Sequence, residues 1–139
     1  GDPAYYNNTL IGSCDFSIQG GSVDAAFISI TNFSIVPNNG NLTGEEYNIW
    51  AGDNVTKLGE TIAQSEGYIT STNANVNADG IYYTDMGEAT YLSAFGDSGG
   101  PVYLTDSKKV IGIHKGSTAF TSIFVKVDNI ASKLNAHFN

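Results

Sequence analysis

The run Gly96–Pro101 carries the residue types that nucleophilic catalysis needs. Its sequence is Gly-Asp-Ser-Gly-Gly-Pro, so the hydroxyl of Ser98 lies between glycines. A glycine two positions before the serine lets the backbone turn sharply, so that the amides of Gly96 and Ser98 can point at one place and stabilise an oxyanion. Gly99 and Gly100 would leave room for substrate backbone beside the hydroxyl. The run therefore predicts a serine nucleophile with an oxyanion hole; the alternative is a glycine-rich hairpin with an incidental serine.

A catalytic serine needs a base, and in the Ser-His-Asp arrangement a buried carboxylate orients that base. Asp24 is the candidate carboxylate, because it precedes the apolar run 25–28 and would lie at the mouth of an apolar strand. A carboxylate in that place would be desolvated and held rigid. The alternative is an aspartate that caps the turn before the strand.

No histidine precedes Ser98 in the sequence to act as that base. The sequence has two histidines, His114 and His137, and both follow Ser98. His137 falls in the last turn of a predicted C-terminal helix, where a solvated histidine suits the helix dipole. We therefore expect the general base either to come from another polypeptide segment or to be absent because catalysis has been lost.

These runs resemble the chymotrypsin-like serine protease family, in which Gly-Asp-Ser-Gly-Gly-Pro surrounds the nucleophile. Residues 55–69 are also similar to a Lys-x-Gly-x-Thr segment of the streptogrisin and α-lytic proteases. In this family the histidine belongs to a Thr-Ala-Gly-His segment upstream of the aspartate, in the order His, Asp, Ser. The resemblance implies that Asp24 and Ser98 are two members of a triad. It also implies that Asp97 is a buried carboxylate that locks the oxyanion loop, with a partner that the sequence does not identify.

The run Val110–Ser117 resembles the strand that forms one wall of the family's specificity pocket. Glutamyl endopeptidases carry a similar Gly-Ile-His at this place, which implies that His114, with Gly116 and Phe95, contacts the substrate. A partly buried imidazole can donate a hydrogen bond to an acidic or amide side chain. The alternative is a histidine that only fills the pocket wall or bonds a neighbouring hydroxyl.

The apolar pattern predicts an all-β fold, since short β-branched or aromatic runs alternate with Gly/Asn/Asp clusters. Strands are predicted over 11–18, 25–30, 67–72, 81–84, 101–104, 110–114 and 122–127, surface loops over 37–41 and 73–77, and one helix over 128–138. Asp128 would be the N-cap of that helix, with Ile130, Leu134 and Phe138 on its apolar face. With the resemblance, this predicts a chymotrypsin-like double β-barrel with a C-terminal α-helix. Residues 1–50 would be the remainder of an incomplete N-terminal barrel and 51–139 the C-terminal barrel.

An incomplete barrel would leave an open strand edge beside residues 10–18. Three candidates could cover it: a retained N-terminal protease fragment, a strand donated by a neighbouring copy, or the chain's own stretch 2–8. Strand donation between copies would propagate into filaments.

Composition indicates a secreted, extracellular protein. Asn-x-Ser/Thr sequons at Asn7, Asn32, Asn41 and Asn54 predict glycosylation. The net charge of -8 argues against nucleic acid and anionic membranes as partners. The spacing of His, Cys, Asp and Glu suggests no metal site, and no cofactor is expected. The single cysteine, Cys14, either pairs outside the chain or is a buried thiol.

Three functions are compatible with these features. The first is a secreted serine endopeptidase that hydrolyses peptide bonds through an acyl-enzyme, with a preference for acidic residues. The second is a non-catalytic, glycosylated extracellular structural or assembly subunit built on a degenerate protease fold. The third is a degenerate protease domain used as a binding module.

Overall fold

The computed structural model describes residues 1–34 and 41–137, and most of the expected loop 37–41 and the end of the expected helix lie outside that range. Within it the chain forms nine strands and one helix. These are β1 (Pro3–Tyr6), β2 (Thr9–Gly20), β3 (Val23–Ile30), β4 (Asn54–Leu58), β5 (Gln64–Ala78), β6 (Ile81–Ala89), β7 (Pro101–Leu104), β8 (Val110–Ser117), β9 (Ser122–Lys126) and α1 (Val127–Leu134). The predicted all-β class is confirmed.

The strands form two separate sheets. β1, β2 and β3 make an antiparallel three-stranded sheet in that order, whereas β4 to β9 close into a barrel in the order β4-β5-β6-β9-β8-β7. The first sheet stays open, as expected for an incomplete N-terminal barrel. The residues expected to act together are therefore divided, with Asp24 on the open sheet and Ser98 on the loop that enters the barrel at β7.

Two apolar clusters hold this arrangement together. One fills the barrel and consists of Val55, Ile69, Ala89, Tyr91, Val102, Ile111 and Phe124. The other consists of Val23, Tyr83, Met86, Ile123 and Val125, and it joins the open sheet to the barrel because Val23 belongs to β3. A bridge between Gly21 and Tyr83 reinforces the same junction. Burial across the junction fixes β3 relative to the barrel.

The stretch 73–77, expected to be a surface loop, lies inside β5 instead. Its asparagines are exposed, while the intervening Ala74 and Val76 pack against the second cluster. That alternation of polar and apolar residues is the pattern of a strand with one covered face. The abundance of asparagine made the segment look like a loop.

The C-terminal helix begins at Val127 and not at the predicted Asp128. Its N-cap is Lys126, which makes no side-chain capping hydrogen bond, and Asp128 lies in the first turn. β9 runs directly into the helix, so no capping turn separates the two. Asn135, with a φ of 49°, ends the helix in the left-handed conformation, well before the predicted end at 138. Among the described residues, the only helix is the eight-residue α1, which is too short to span a bilayer.

The chain's own N-terminal stretch covers part of the expected open edge. β1 pairs with residues 9–13 of β2 through a tight turn at Asn7 and Asn8, both with positive φ. The carbonyl of Asp2 also accepts a hydrogen bond from the amide of Cys14. Within the described residues, the outer edges of β1 and β3 have no strand beside them.

Candidate active site

The carboxylate of Asp97 holds loop 95–100 in place, which is called the nucleophile loop because it carries the candidate nucleophile Ser98. It is buried and accepts hydrogen bonds from Lys57 Nζ at 2.7 Å and from the amides of Thr61, Ile62 and Ala94 at 2.8–3.0 Å. The hydrogen bond from Lys57, with those from the amides, holds the pKa of Asp97 far below its usual range, although burial opposes this. Asp97 therefore stays ionised and ties the loop to β4 and the segment that follows it.

Lys57 is the partner of Asp97 that sequence reasoning did not identify. Its side chain is fully buried, and Nζ also donates to the carbonyl of Ile62 at 2.9 Å. No local signal identified this pairing, because β4 reads Asn-Val-Thr-Lys-Leu and its mixed composition does not show that the lysine is buried. Once the burial is known, an anionic partner is required.

Ser98 is exposed on this loop, as a nucleophile must be. Gly96 and Gly99, with φ of 103° and 93°, make the turns on either side of it. Thr61 Oγ1 donates to the carbonyl of Phe95 at 2.7 Å and so sets the direction of the peptide whose N–H belongs to Gly96. The amides of Gly96 and Ser98 donate to no acceptor in the described part of the chain. A cleft of about 620 Å³ opens beside the loop.

Lys115 connects the two expected catalytic residues. Its Nζ lies 2.5 Å from Oδ2 of Asp24, and its carbonyl accepts a hydrogen bond from Ser98 Oγ at 2.8 Å. The hydroxyl of Tyr83 donates to the same Asp24 oxygen at 3.4 Å, and the ammonium lies 4.7 Å from the Tyr83 ring centroid. Burial acts to lower the pKa of Lys115, but the hydrogen bond and charge of Asp24 outweigh it and raise the pKa. The structure thus brings Asp24 to Lys115 of β8, the residue that also bonds Ser98, although an ammonium and not an imidazole holds the carboxylate.

His114 lies in the barrel wall behind the nucleophile loop. Its backbone accepts from the amide of Gly99 and donates to the carbonyl of Gly100, at 2.9 and 2.8 Å. The imidazole is buried, and Nδ1 lies 2.9 Å from the hydroxyl of Tyr91. Burial, with the charge of Lys57, lowers the pKa of His114 to about 4, against the opposing effect of Asp97. The imidazole is therefore neutral at physiological pH.

Three serine hydroxyls that the sequence did not single out form a cluster near the end of β8. Ser93 Oγ lies 2.6 Å from Ser117 Oγ and 3.0 Å from Ser122 Oγ. Ser122 donates in turn to the carbonyl of Tyr91, the residue that binds His114. The cluster therefore adds polar groups to the same wall.

Gly116 and Phe95, the other two residues expected to contact the substrate, make few contacts that would define a pocket. Gly116 is half-buried at a bulge of β8, and a Cβ there would meet no atom within 4 Å. Phe95 is fully exposed next to Gly96. Phe95 lies three residues before Ser98 in the chain, and Gly116 follows Lys115, whose carbonyl accepts the hydrogen bond of Ser98. Neither residue fixes a pocket by its own contacts.

His137 lies away from these residues. Its Nδ1 is 3.0 Å from Glu45 Oε1 and 3.4 Å from the hydroxyl of Tyr47. Within residues 1–34 and 41–137, neither histidine bonds Ser98 or Asp24. The same ranges contain no group of three His, Cys, Asp or Glu placed to hold a metal ion.

The four sequon asparagines differ in accessibility. Asn7, Asn41 and Asn54 are exposed, whereas Asn32 is half-buried and its amide nitrogen donates to the carbonyl of Leu10. Cys14 is a half-buried free thiol.

A family model described as Trypsin matches residues 25–134, most of the chain. This chain belongs to the trypsin family of serine proteases. The match contains the nucleophile loop and the barrel, while Asp24 lies one residue before its start.

Individual relatives agree with the trypsin-family assignment. Glutamyl endopeptidase 2 of Streptomyces griseus is 39% identical over 72 residues, which are 51% of this chain and 37% of the relative. The match thus spans little more than a third of that relative's length. A solved glutamic acid-specific serine protease, described as using a histidine triad in substrate binding, has a TM-score of 0.77 at 24% identity, over 94% of this chain and 75% of its own. Nocardiopsis protease has a TM-score of 0.78 at 20% identity, over 93% of this chain and 73% of its own. At these identities the two structures show the fold alone.

Proposed function

We propose that this trypsin-family chain is the nucleophile-bearing part of a serine endopeptidase that cleaves peptide bonds through an acyl-enzyme. Ser98 Oγ would attack the scissile carbonyl, and the amides of Gly96 and Ser98 would stabilise the resulting oxyanion. Asp24 would orient an imidazole from a polypeptide segment outside these 139 residues. That imidazole would accept the Ser98 proton and return it to the leaving amine.

The observation that carries this proposal is the fixed nucleophile loop. Asp97 is held by one ammonium and three amides, although an ordinary surface hairpin would need no such anchor. Two N–H groups remain without acceptors in the described chain beside an exposed hydroxyl. A rigid loop with unused donors is what electrostatic stabilisation of a transition state requires.

A fluorophosphonate probe tests the nucleophile directly. In the complete protein, with whatever segment accompanies it, the probe should label Ser98, and Ser98→Ala should abolish labelling. Ser93→Ala removes a hydroxyl of the neighbouring serine cluster and serves as the control. In this variant the probe should still label Ser98. No labelling in a folded preparation shown to contain an accompanying histidine segment would contradict the proposal.

The segment that supplies the imidazole is a further part of the proposal. Mass spectrometry of the intact purified protein should show this segment either as a second polypeptide or as extra mass on a longer single chain. A compact monomer with no second peptide would rule out both a bound fragment and strand donation by a neighbouring copy. If the fluorophosphonate probe labelled Ser98 of such a monomer only slowly, the general base would be missing.

We further propose that the substrate side chain before the cleaved bond is acidic and is bound by His114. Two observations support this proposal. The backbone of His114 is bonded to Gly99 and Gly100 beside Ser98, and the chain is similar to glutamyl endopeptidase 2 of Streptomyces griseus. His114→Ala should weaken the preference for Glu over Ala by about 1–3 kcal/mol, the scale of a hydrogen bond to a charged group. His137→Ala is the matched control. An unchanged cleavage profile in His114→Ala would show that the histidine only fills the wall.

We also propose that the protein is extracellular and glycosylated. Three exposed sequon asparagines support this, and Asn32 is the least suited acceptor because its amide nitrogen is engaged. Intact mass of the protein from its own source, before and after enzymatic deglycosylation, decides the matter. A mass equal to that of the bare polypeptide would contradict glycosylation.

A further inference from the structure

The hydroxyl of Tyr91 has one hydrogen-bond partner in the described chain, and that partner is Nδ1 of His114. Tyr91 is 2% exposed and His114 is also 2% exposed, so water offers neither group a ready substitute. Burial raises the pKa of Tyr91, which keeps its proton on the hydroxyl. The pair is therefore a neutral phenol facing a neutral imidazole.

The direction of this hydrogen bond follows from where each proton can go. If Nδ1–H donated to Tyr91, the phenolic proton would be left without an acceptor inside the protein, at a cost that buried polar groups rarely bear. If Tyr91 donates to Nδ1, both groups are satisfied and the single imidazole proton lies on Nε2. The second arrangement is the one that leaves no buried hydrogen without a partner.

The other nitrogen of the ring, Nε2, has no hydrogen-bond partner in the described residues. Every buried side-chain nitrogen and oxygen atom of the described residues has a hydrogen-bond partner. Because His114 Nε2 is not hydrogen-bonded within the described chain, it is not one of those fully buried atoms and is left available to a ligand. It belongs to a residue whose backbone is bonded to Gly99 and Gly100, next to the nucleophile.

We propose that Tyr91 is a specificity-positioning residue: it fixes the Nε2–H tautomer of His114, so that the neutral imidazole presents a hydrogen-bond donor to an oxygen atom of the substrate side chain. The inference deepens the proposed function and rests on it for the identity of the substrate. The expected ligand is a side-chain carboxylate, which a donor recognises and an acceptor repels. His137 does not contact this pair, because it lies beside Glu45.

The tautomer can be measured without activity. Nitrogen-15 NMR of the intact chain at pH 7 should show the His114 proton on Nε2, with Nδ1 as acceptor. Tyr91→Phe, which keeps the ring, should give a mixture of tautomers or move the proton to Nδ1. Tyr103→Phe removes the hydroxyl of another buried tyrosine and should leave the His114 signals unchanged. A proton on Nδ1 in the unsubstituted protein, or no change of the tautomer in Tyr91→Phe, would overturn the inference.

Cleavage by the complete protein supplies the functional arm. Tyr91→Phe should lower kcat/KM for peptides with Glu before the cleaved bond by about tenfold relative to peptides with Ala there, while Tyr103→Phe leaves that ratio unchanged. An equal loss for both peptides would point to a general packing defect and contradict the specificity role. If the NMR result holds but no variant shows a preference for Glu, the proposed substrate class fails and the tautomer assignment stands.

Discussion

Lys115 holds Asp24 across the junction between the open sheet and the barrel, with its Nζ 2.5 Å from the carboxylate. The carbonyl oxygen of the same residue accepts a hydrogen bond from Ser98 Oγ. Lys115 thus bonds both of the residues that an imidazole would contact in the proposed mechanism. The Lys115 ammonium also neutralises part of the negative charge of Asp24, which would otherwise stabilise a protonated imidazole.

A double-mutant cycle measures this relationship. Both side chains are partly exposed, so Lys115→Met and Asp24→Asn should couple by about 0.5–1 kcal/mol in the free energy of unfolding. Lys133→Met removes an exposed cation from α1 and should show no coupling to Asp24. Additive effects of Lys115→Met and Asp24→Asn in urea titrations would mean that the ion pair does not persist in solution.

Lys115 should also affect the pH dependence of any activity. Removing its positive charge makes protonation of a base beside Asp24 easier, which raises the pKa of that base. The acid limb of the kcat/KM profile of the complete protein should therefore move by about one pH unit to higher pH in Lys115→Met. Lys115→Arg should keep the original profile. A limb that stays in place in Lys115→Met would show that Lys115 has no electrostatic effect on the base.

The sequence allowed the two catalytic candidates to be predicted, but not what surrounds them. Ser98 could be predicted as the nucleophile because the residues that set its backbone conformation are its immediate neighbours in one short run. The partners Lys57 of Asp97 and Lys115 of Asp24 depend on strands that pack only after folding, so no local pattern links them. The alternation within 73–77 was readable, yet asparagine composition outweighed it in the prediction.

The ion pair of Lys57 with Asp97 should control the order of the nucleophile loop. Lys57→Met would leave a buried carboxylate without its counter-charge, and the loop should lose the geometry that aims its amides. Fluorophosphonate labelling of Ser98 should then slow by about 100-fold, the scale of a lost oxyanion contact. Lys57→Arg should retain most of the labelling, and Lys109→Met, which removes an exposed cation, should retain all of it. Circular dichroism shows whether Lys57→Met stays folded, and normal labelling by a folded Lys57→Met protein would contradict the role of the pair.

The buried His114 should make the protein sensitive to acid. Its pKa is about 4 in the folded chain, below the ordinary value of 6.5, so the unfolded state binds the proton more readily. The stability due to the neutral imidazole is complete above pH 6.5 and is lost as the pH falls from 6.5 towards 4. The loss is at most about 3 kcal/mol, before solvent screening reduces it. In His114→Gln the urea midpoint should change less between pH 7 and pH 4.5 than in the unsubstituted protein, whereas His137→Gln should behave like the unsubstituted protein. An equal decline in all three proteins would place the acid sensitivity in other groups.

The two glycines after Ser98 should respond differently to alanine, because the structure uses them for different purposes. A Cβ on Gly100 would overlap the carbonyl oxygen of Leu58, so its missing side chain makes room for the chain's own backbone and not, as expected, for a substrate. A Cβ on Gly99 would meet no atom within 4 Å, and the only cost there is its φ of 93°. Gly99→Ala should therefore lower the free energy of unfolding by about 1–2 kcal/mol from backbone strain.

Gly100→Ala should lower the free energy of unfolding by up to about 3 kcal/mol, because it forces β4 and the nucleophile loop apart. That separation also disturbs Asp97, so Gly100→Ala should slow fluorophosphonate labelling of Ser98 more than Gly99→Ala does. Urea titration and labelling rates of the two variants, measured side by side, provide the comparison. If Gly99→Ala proved the more damaging in both measurements, the close approach of Gly100 to Leu58 would not be what requires a glycine in this loop.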